Sequence, residues 1–275
     1  MTIFEIYKTG LNMLKNKTEV IILIQEVFNI GRTQISLNPD LIINKNKKNI
    51  FFEYLRRIKN GEPIQYVLKK TDFLGIKLKV GPGVFIPRPE TELLVEYICK
   101  NFNKNFSGNI IDLCSGSGAI AICLKKYFKN SNIWAIEKSP EAFEYLIKNT
   151  ELNNTKINYI LGDIFTEFAK FKDETFDIII SNPPYVKTYD INNLEKNIRF
   201  EPHMALDGGI DGLDFYKNII KLWKSKLKKN AIIIFELGIN QYKKIQEIMQ
   251  DNNFSNIKII KDFSNIERII MANKN

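Results

Sequence analysis

The run Phe176-Asp177-Ile178-Ile179-Ile180-Ser181 is short and largely β-branched, and it stops at Asn182-Pro183-Pro184-Tyr185. A run of that length reads as a strand buried on both faces, the kind found in a parallel sheet covered by helices. The two prolines fix φ and donate no backbone N–H, so nearby carbonyls are left to accept from a ligand. Asn182 adds one side-chain acceptor and two donors. A planar amide or amine entering here meets two acceptors for its N–H groups, with the aromatic face of Tyr185 beside it.

The rest of the chain fits that demand for a layered fold. From residue 90 onward, apolar runs at 109–114, 132–137, 157–161, 176–181, 230–236, 257–261 and 267–272 alternate with helical patterns near 90–102, 118–129, 140–152, 212–228 and 240–252. Such alternation predicts an α/β, doubly wound, Rossmann-like sheet of seven strands with a parallel core. Only Asp262-Phe263-Ser264-Asn265-Ile266 separates the last two strands, too little for a helical crossover, so they are expected to pair antiparallel.

Residues 1–70 read differently. Ile3, Ile6, Tyr7, Leu11 and Leu14 lie at helical spacing, Thr18 and Glu19 open a second helix that ends near Gly31, and Ile50 to Ile58 supply a third. A small helical bundle is expected there. Residues 71–89, with Phe73 to Val80 alternating around Gly75, read as a β-hairpin linker, and residues 90–275 as the sheet domain. Loop 186–211 lacks a regular period, and a loop of that length is expected to be either functional, as part of the substrate groove, or disordered.

Composition limits the function classes. The net charge is +9, and residues 1–70, with 12 Lys and Arg against 6 Asp and Glu, carry +6 of it. An acidic partner fits this excess, and so does a Lys- and Asn-rich composition with no functional meaning. Aromatics are not interleaved with those basic residues, which argues against direct nucleic-acid binding. Cys99, Cys114 and Cys123 are odd in number and lack metal-ligand spacing. The start, Met1-Thr2-Ile3-Phe4-Glu5, has no basic segment ahead of an apolar core, and no apolar run reaches membrane-spanning length. The expectation is a cytoplasmic monomer without a metal site.

The segment Ile110-Ile111-Asp112-Leu113-Cys114-Ser115-Gly116-Ser117-Gly118-Ala119-Ile120-Ala121 is strand, glycine loop and helix. Gly116 and Gly118 admit a close ligand approach, and the following helix offers a positive N-terminus. Gly116-x-Gly118-x-x-Ala121, with Glu137 about 20 residues on, also satisfies the dinucleotide fingerprint, so a dehydrogenase competes. Three acids shift the balance. Asp112 can reach a ligand amino group, Glu137 can take both ribose hydroxyls, and Asp163 can accept from an adenine amine that Phe165 covers. Each acid alone also fits an N-cap or a solvated loop carboxylate. Acids after three successive strands, then Asn-Pro-Pro-Tyr after the fourth, are the layout of a class I S-adenosylmethionine-dependent methyltransferase.

Read together, these residues resemble the release-factor glutamine methyltransferases, the HemK/PrmC group, over nearly the whole chain. Phe85-Ile86-Pro87-Arg88-Pro89-Glu90-Thr91-Glu92 is similar to the family's linker signature. Phe200-Glu201-Pro202 and Ala205-Leu206-Asp207-Gly208-Gly209-x-Asp211-Gly212-Leu213 are similar to a second characteristic stretch. Glu236-x-Gly238 with Gln241, and Ile266-Glu267-Arg268, match as well. The tetrapeptide alone is shared with amino-methyltransferases acting on nucleic acids, which form the runner-up reading; a non-catalytic scaffold is a further one.

The resemblance implies methyl transfer from S-adenosylmethionine to N5 of the glutamine in the Gly-Gly-Gln motif of class I peptide chain release factors. It places the cofactor at Cys114, Ser115, Gly116, Ser117, Gly118, Glu137, Phe165 and Asn182. It places the substrate at Asn182, Pro183, Pro184 and Tyr185, with Arg88 either steering the substrate or pairing with an acid. Asn182, Pro183 and Tyr185 are the expected catalytic residues. Two positions depart from the family pattern: Cys114 stands where Gly is usual, and Glu137 where Asp is usual. A Cys in left-handed backbone costs roughly 1–2 kcal/mol, a cost that a negative φ at Cys114 would avoid.

Overall fold

The computed structural model describes residues 1–275, which divide into two compact units, 1–69 with 195–200, and 70–194 with 201–275. The first unit is helical: α1 (Ile3–Leu14), α2 (Lys17–Phe28), α3 (Arg32–Leu37), α4 (Lys45–Lys59) and α5 (Ile64–Leu68). Thr2 caps α1, and Glu5 returns the bond in a capping box. Asn16 caps α2 and Asn44 caps α4. The helical stripes meet in one core that includes Ile6, Val20, Leu23, Ile24, Phe51 and Leu55. The third helix begins at Lys45 rather than Ile50, because the Asn44 cap extends it through a polar first turn that no apolar period marks. Short helices α3 and α5 are additions to the sequence expectation.

In the second unit the hairpin is β1 (Lys70–Phe73) and β2 (Ile76–Lys79), followed by α6 (Pro89–Asn101). Then come β3 (Asn109–Leu113), α7 (Ala119–Tyr127), β4 (Asn132–Glu137), α8 (Pro140–Leu152), β5 (Asn158–Leu161), α9 (Ile164–Glu167) and β6 (Phe176–Ser181). The chain closes with α10 (His203–Leu206), α11 (Asp214–Trp223), β7 (Leu227–Glu236), α12 (Tyr242–Asp251), β8 (Phe254–Lys261) and β9 (Glu267–Lys274). Sheet order is β5-β4-β3-β6-β7-β9-β8. The first five of these strands run parallel, and β9 lies antiparallel between β7 and β8. This is the seven-stranded α/β sheet with an antiparallel last strand. Loop 186–211 is more ordered than its sequence pattern suggests, holding 3-10 turns at 188–193 and 198–200 besides α10.

Alternation along the strands builds two cores. Ile110, Ile178 and Ile180 face one, with residues of α6 and α7. Ile111, Leu113 and Ile179 face the other, with residues of α11 and α12. Trp223 is wholly buried in the second core, and its indole N–H donates to the Ile164 carbonyl at 3.0 Å. No helix is long and apolar enough to cross a membrane.

One buried amide stitches the hairpin to the glycine loop. Asn149 Oδ1 on α8 accepts from the Lys79 N–H at 2.6 Å, and Nδ2 donates to the Lys79 and Ser117 carbonyls, each at 3.0 Å. Asn149→Ala removes all three bonds and leaves the Ser117 carbonyl without that partner. We expect a loss of about 2–4 kcal/mol in urea unfolding; a loss below about 1 kcal/mol would show that water replaces the amide.

Candidate active site

Parallel register sets the site. Leu113, Ser181 and Phe235 are partners across β3, β6 and β7, so Cys114, Asn182 and Glu236 follow at one level. The sheet's strand order reverses at β3 and β6, the place where ligands bind in open α/β folds.

On the β3 side, Asp112 is fully buried, and neither carboxyl oxygen has a hydrogen-bond partner. Burial pushes its pKa up to about 8. The Ser115 hydroxyl and the Ala121 N–H pull the other way, yet Ser115 spends its hydroxyl on the Asp112 carbonyl at 2.8 Å. Glu137 ends β4 and accepts from the N–H groups of Gly116 and Ser139, each at 2.7 Å. Burial raises its pKa against those bonds. It therefore anchors the glycine loop as well as standing where a ribose is expected.

Asp163 caps α9, accepting from the Phe165 N–H at 2.9 Å, and pairs with Lys138 at 2.8 Å. Burial lifts its carboxyl, but Lys138 and the Phe165 N–H outweigh that and hold it below the usual range. Phe165 packs on Phe215 with ring centroids 5.3 Å apart. Ser115 and Ser117 are both buried in the loop.

Cys114 does not keep the negative φ that would avoid the cost of left-handed backbone. Its φ is +62°, so it shares the left-handed region with Gly116 (+54°) and Gly118 (+81°). The strand-to-loop reversal demands that conformation whatever the residue, and a β-carbon there carries the cost. Burial, with the Glu137 charge second, pushes the thiol well above its ordinary range, so it stays neutral.

At the β6 side, Pro183 and Pro184 are buried while Asn182 and Tyr185 are half-buried. Asn182 Nδ2 donates to Thr91 Oγ1 at 3.1 Å, and Thr91 donates to Glu236 Oε2 at 2.6 Å. The Tyr185 hydroxyl lies 3.5 Å from Glu236 Oε1. Burial raises its phenol pKa, with Glu236 adding to the shift. In the sequence, Thr91 and Glu236 stand only as signature positions. The available signal was Glu236 itself, a carboxylate ending the apolar run Ile232 to Phe235, the same pattern that marks Glu137.

The other signature segments hold the tetrapeptide's backbone. Gln241 Nε2 donates to the Tyr185 carbonyl at 2.9 Å and to the Gly212 carbonyl at 3.2 Å, while its Oε1 accepts from the Gly238 N–H at 3.1 Å. Val186 donates its N–H to the Leu206 carbonyl at 2.9 Å and accepts from the Gly208 N–H at 2.7 Å. Arg88 pairs with buried Glu201, which also accepts from the Ile86 N–H at 3.0 Å. Its guanidinium also sits over the Phe85 ring, 4.9 Å from the centroid. That ion pair is the acid-pairing alternative for Arg88. His203 lies on α10 with an exposed side chain, 3.8 Å from Asp207.

This strand order, with acids ending three strands and Asn-Pro-Pro-Tyr ending the fourth, defines a class I methyltransferase fold. Solved structures of a methyltransferase from Pyrococcus furiosus (22% identity, TM-score 0.54, 81% of this chain and 98% of that one) and of the ribosomal protein L11 methylase from Lactobacillus delbrueckii subsp. bulgaricus (17%, 0.53, 72% and 86%) share it. Residues 12–68 match the PrmC N-terminal domain, and residues 76–201 match the Methyltransferase small domain. The release factor glutamine methyltransferase of Thermodesulfovibrio yellowstonii is 38% identical over 256 residues, which cover 92% of this chain and 90% of its own. That of Clostridium acetobutylicum is 33% identical over 254 residues, 91% and 89% of the two chains. The chain belongs to the release factor glutamine methyltransferase family.

Close packing under Tyr185 gives a direct check. A β-carbon on Gly208 would lie 2.7 Å from Tyr185 Cα and 2.8 Å from the Pro184 carbonyl oxygen. Both obstacles are backbone, which cannot swing aside. Gly208→Ala should cost about 1–3 kcal/mol and lower methyl-transfer activity more than the loss of folded protein explains. Wild-type activity and melting temperature in this variant would show that the loop yields.

Proposed function

We propose that this enzyme transfers a methyl group from S-adenosylmethionine to N5 of the glutamine in the Gly-Gly-Gln motif of class I peptide chain release factors. The observation that carries the reading is the Asn182 amide, held by Thr91 through its Nδ2 at the end of a strand that the prolines terminate. That arrangement leaves Asn182 Oδ1 to accept one N–H of a substrate carboxamide. The Pro183 carbonyl, engaged by none of the loop's hydrogen bonds, accepts the other. Tyr185 packs beside the amide plane, and Pro184 shapes the wall.

The bound cofactor supplies an electrophilic sulfonium methyl. An amide nitrogen is a poor nucleophile because its lone pair is delocalised into the carbonyl, so positioning carries much of the catalysis. Two acceptors on the N–H groups aim the nitrogen and favour positive charge as it builds there. The alkylated nitrogen becomes acidic and loses its proton without a dedicated base, so His203 has no part in the step.

The cofactor's residues are Asp112, Cys114 through Gly118, Glu137, Asp163, Phe165 and Asn182. The buried Asp112 carboxyl, which has no hydrogen-bond partner, suits the cofactor's ammonium group: that is the partner such a carboxyl lacks. Glu137 is already anchored by two N–H groups and so is preoriented for hydroxyls.

Residues 1–70, which carry most of the positive charge, engage the protein substrate away from the reacting glutamine. Residues 71–89 connect them to the catalytic domain, 90–275. A release-factor substrate puts the enzyme in the cytoplasm.

Labelled cofactor incubated with a purified release factor, or with total RNA, tests the reading. Label is expected in the polypeptide; label in RNA overturns it. Asn182→Ala should lower turnover by two or more orders of magnitude, about 3 kcal/mol, while cofactor affinity changes less. Equal loss of both would remove Asn182 from the substrate side.

Asp112 gives a pH test. With a pKa near 8 its carboxyl holds a proton at pH 7 in the free enzyme. An ammonium beside it favours the ionised form, so binding at pH 7 should release up to about one proton. Affinity should therefore rise with pH up to about 8. Calorimetry in buffers of different ionisation enthalpy reads the release, which Asp112→Asn should abolish; a buffer-independent wild-type enthalpy contradicts the assignment.

A further inference from the structure

Three elements far apart in sequence meet behind Asn182. Thr91 sits in the first turn of α6, 91 residues before Asn182, and Glu236 ends β7, 145 residues after Thr91. Thr91 is 3% exposed and Glu236 2%, so water does not compete for these bonds. The chain runs from Asn182 Nδ2 to Thr91 Oγ1 at 3.1 Å, and from Thr91 Oγ1 to Glu236 Oε2 at 2.6 Å.

A hydroxyl has one proton to give. With an ionised carboxylate behind it, Thr91 must give that proton to Glu236, because a carboxylate can only accept. Toward Asn182 the hydroxyl is then left with lone pairs, so it can receive only the Nδ2–H. The Asn182 amide is thereby held in one of its two flip states, with Oδ1 turned away from Thr91. A protonated Glu236 reverses this order. It can donate to Thr91, and Thr91 can then donate to Oδ1, which turns the Nδ2 donors toward the substrate's own donors.

We propose that Glu236 and Thr91 are positioning residues that set the flip state of the Asn182 amide, so that it presents an acceptor to the substrate carboxamide. This rests on the carboxamide-methylation reading for its consequence in turnover, but the orientation itself does not depend on the substrate.

The surroundings make Glu236 the controlling end of the chain. The charged groups near it are Arg268 and Glu90, and the phenols are Tyr185 and Tyr216, the latter donating to the Glu236 backbone carbonyl at 2.8 Å. Arg268 favours the carboxylate, but it divides itself between Asp262 at 2.9 Å and Glu90 at 3.7 Å. Burial, against the Thr91 bond, brings Glu236 to a pKa of about 7. The chain therefore changes polarity in the neutral range. Asn182 presents its oxygen above that range and loses the preference below it.

Two readouts test the proposal. The first needs no substrate: the side-chain NH2 resonances of Asn182 in 15N-asparagine-labelled enzyme, assigned by their absence in Asn182→Ala. They should titrate with a midpoint near pH 7 in the wild type and stay flat in Glu236→Gln. Resonances that do not move in the wild type, or that move equally in Glu236→Gln, overturn the proposal.

The second is kinetic, with a release factor and labelled cofactor. Thr91→Val removes the hydroxyl; it should lower kcat of the folded enzyme at least about tenfold while cofactor affinity changes less, with some loss of melting temperature because Glu236 loses a donor. Thr91→Ser restores the hydroxyl and should recover most of kcat. A Thr91→Val enzyme within about twofold of wild type overturns the proposal, as does a Thr91→Ser enzyme no better than Thr91→Val. If Thr91→Val does not fold, the resonances of Glu236→Gln decide. A wild-type enzyme that shows the titration but labels no release factor would sink the substrate reading while leaving the orientation in place.

Discussion

Parallel pairing of β3, β6 and β7 brings Cys114, Asn182 and Glu236 out of the sheet at one level, and every other feature of the site depends on that alignment. A slip of one residue in β6 would turn Asn182 from the side occupied by α6 to the side occupied by α11, because strand side chains alternate. Thr91 would then lose its bond from Asn182 and keep only Glu236. The alignment is enforced by isoleucines that fill both faces of β6, 178 and 180 in one core and 179 in the other. Hydrophobic packing thus fixes the position of a polar group that contributes nothing to that packing.

The buried acids divide into two kinds. Glu137 and Glu201 are held by backbone N–H groups, with Arg88 added at Glu201, and they do structural service for the glycine loop and the linker. Asp112 lacks partners and Glu236 has few. Burying a carboxyl this way destabilises the fold and raises its pKa. Such groups gather at functional sites, and here they stand at the same end of β3 and β7, the two strands that flank β6. The Cys114 backbone adds a third local cost at the same place.

Much of this was legible in the sequence because the strands are apolar runs ended by unmistakable stops. The glycine loop, the Asn-Pro-Pro-Tyr stop and the acids at 112, 137 and 163 lie where period and turn chemistry put them. The short helices α3, α5, α9 and α10 were not legible, since segments of four to six residues carry too little period to read and are fixed by what they pack on. The sign of φ at Cys114 could not be read from a residue that disfavours it. The bonds among Asn182, Thr91, Glu236 and Gln241 were invisible for another reason: they join segments tens of residues apart, and only the folded register makes them neighbours.

Gln241 holds the Tyr185 carbonyl, and glycines at 208 and 212 let neighbouring backbone close against the same stretch. The acceptors of Asn-Pro-Pro-Tyr therefore lose their conformational freedom when the polypeptide folds, long before any ligand arrives. On the proposed reading the incoming segment is Gly-Gly-Gln, among the floppiest of sequences, and docking it demands a large entropic sacrifice. A receptor already frozen into shape confines that sacrifice to the incoming peptide alone.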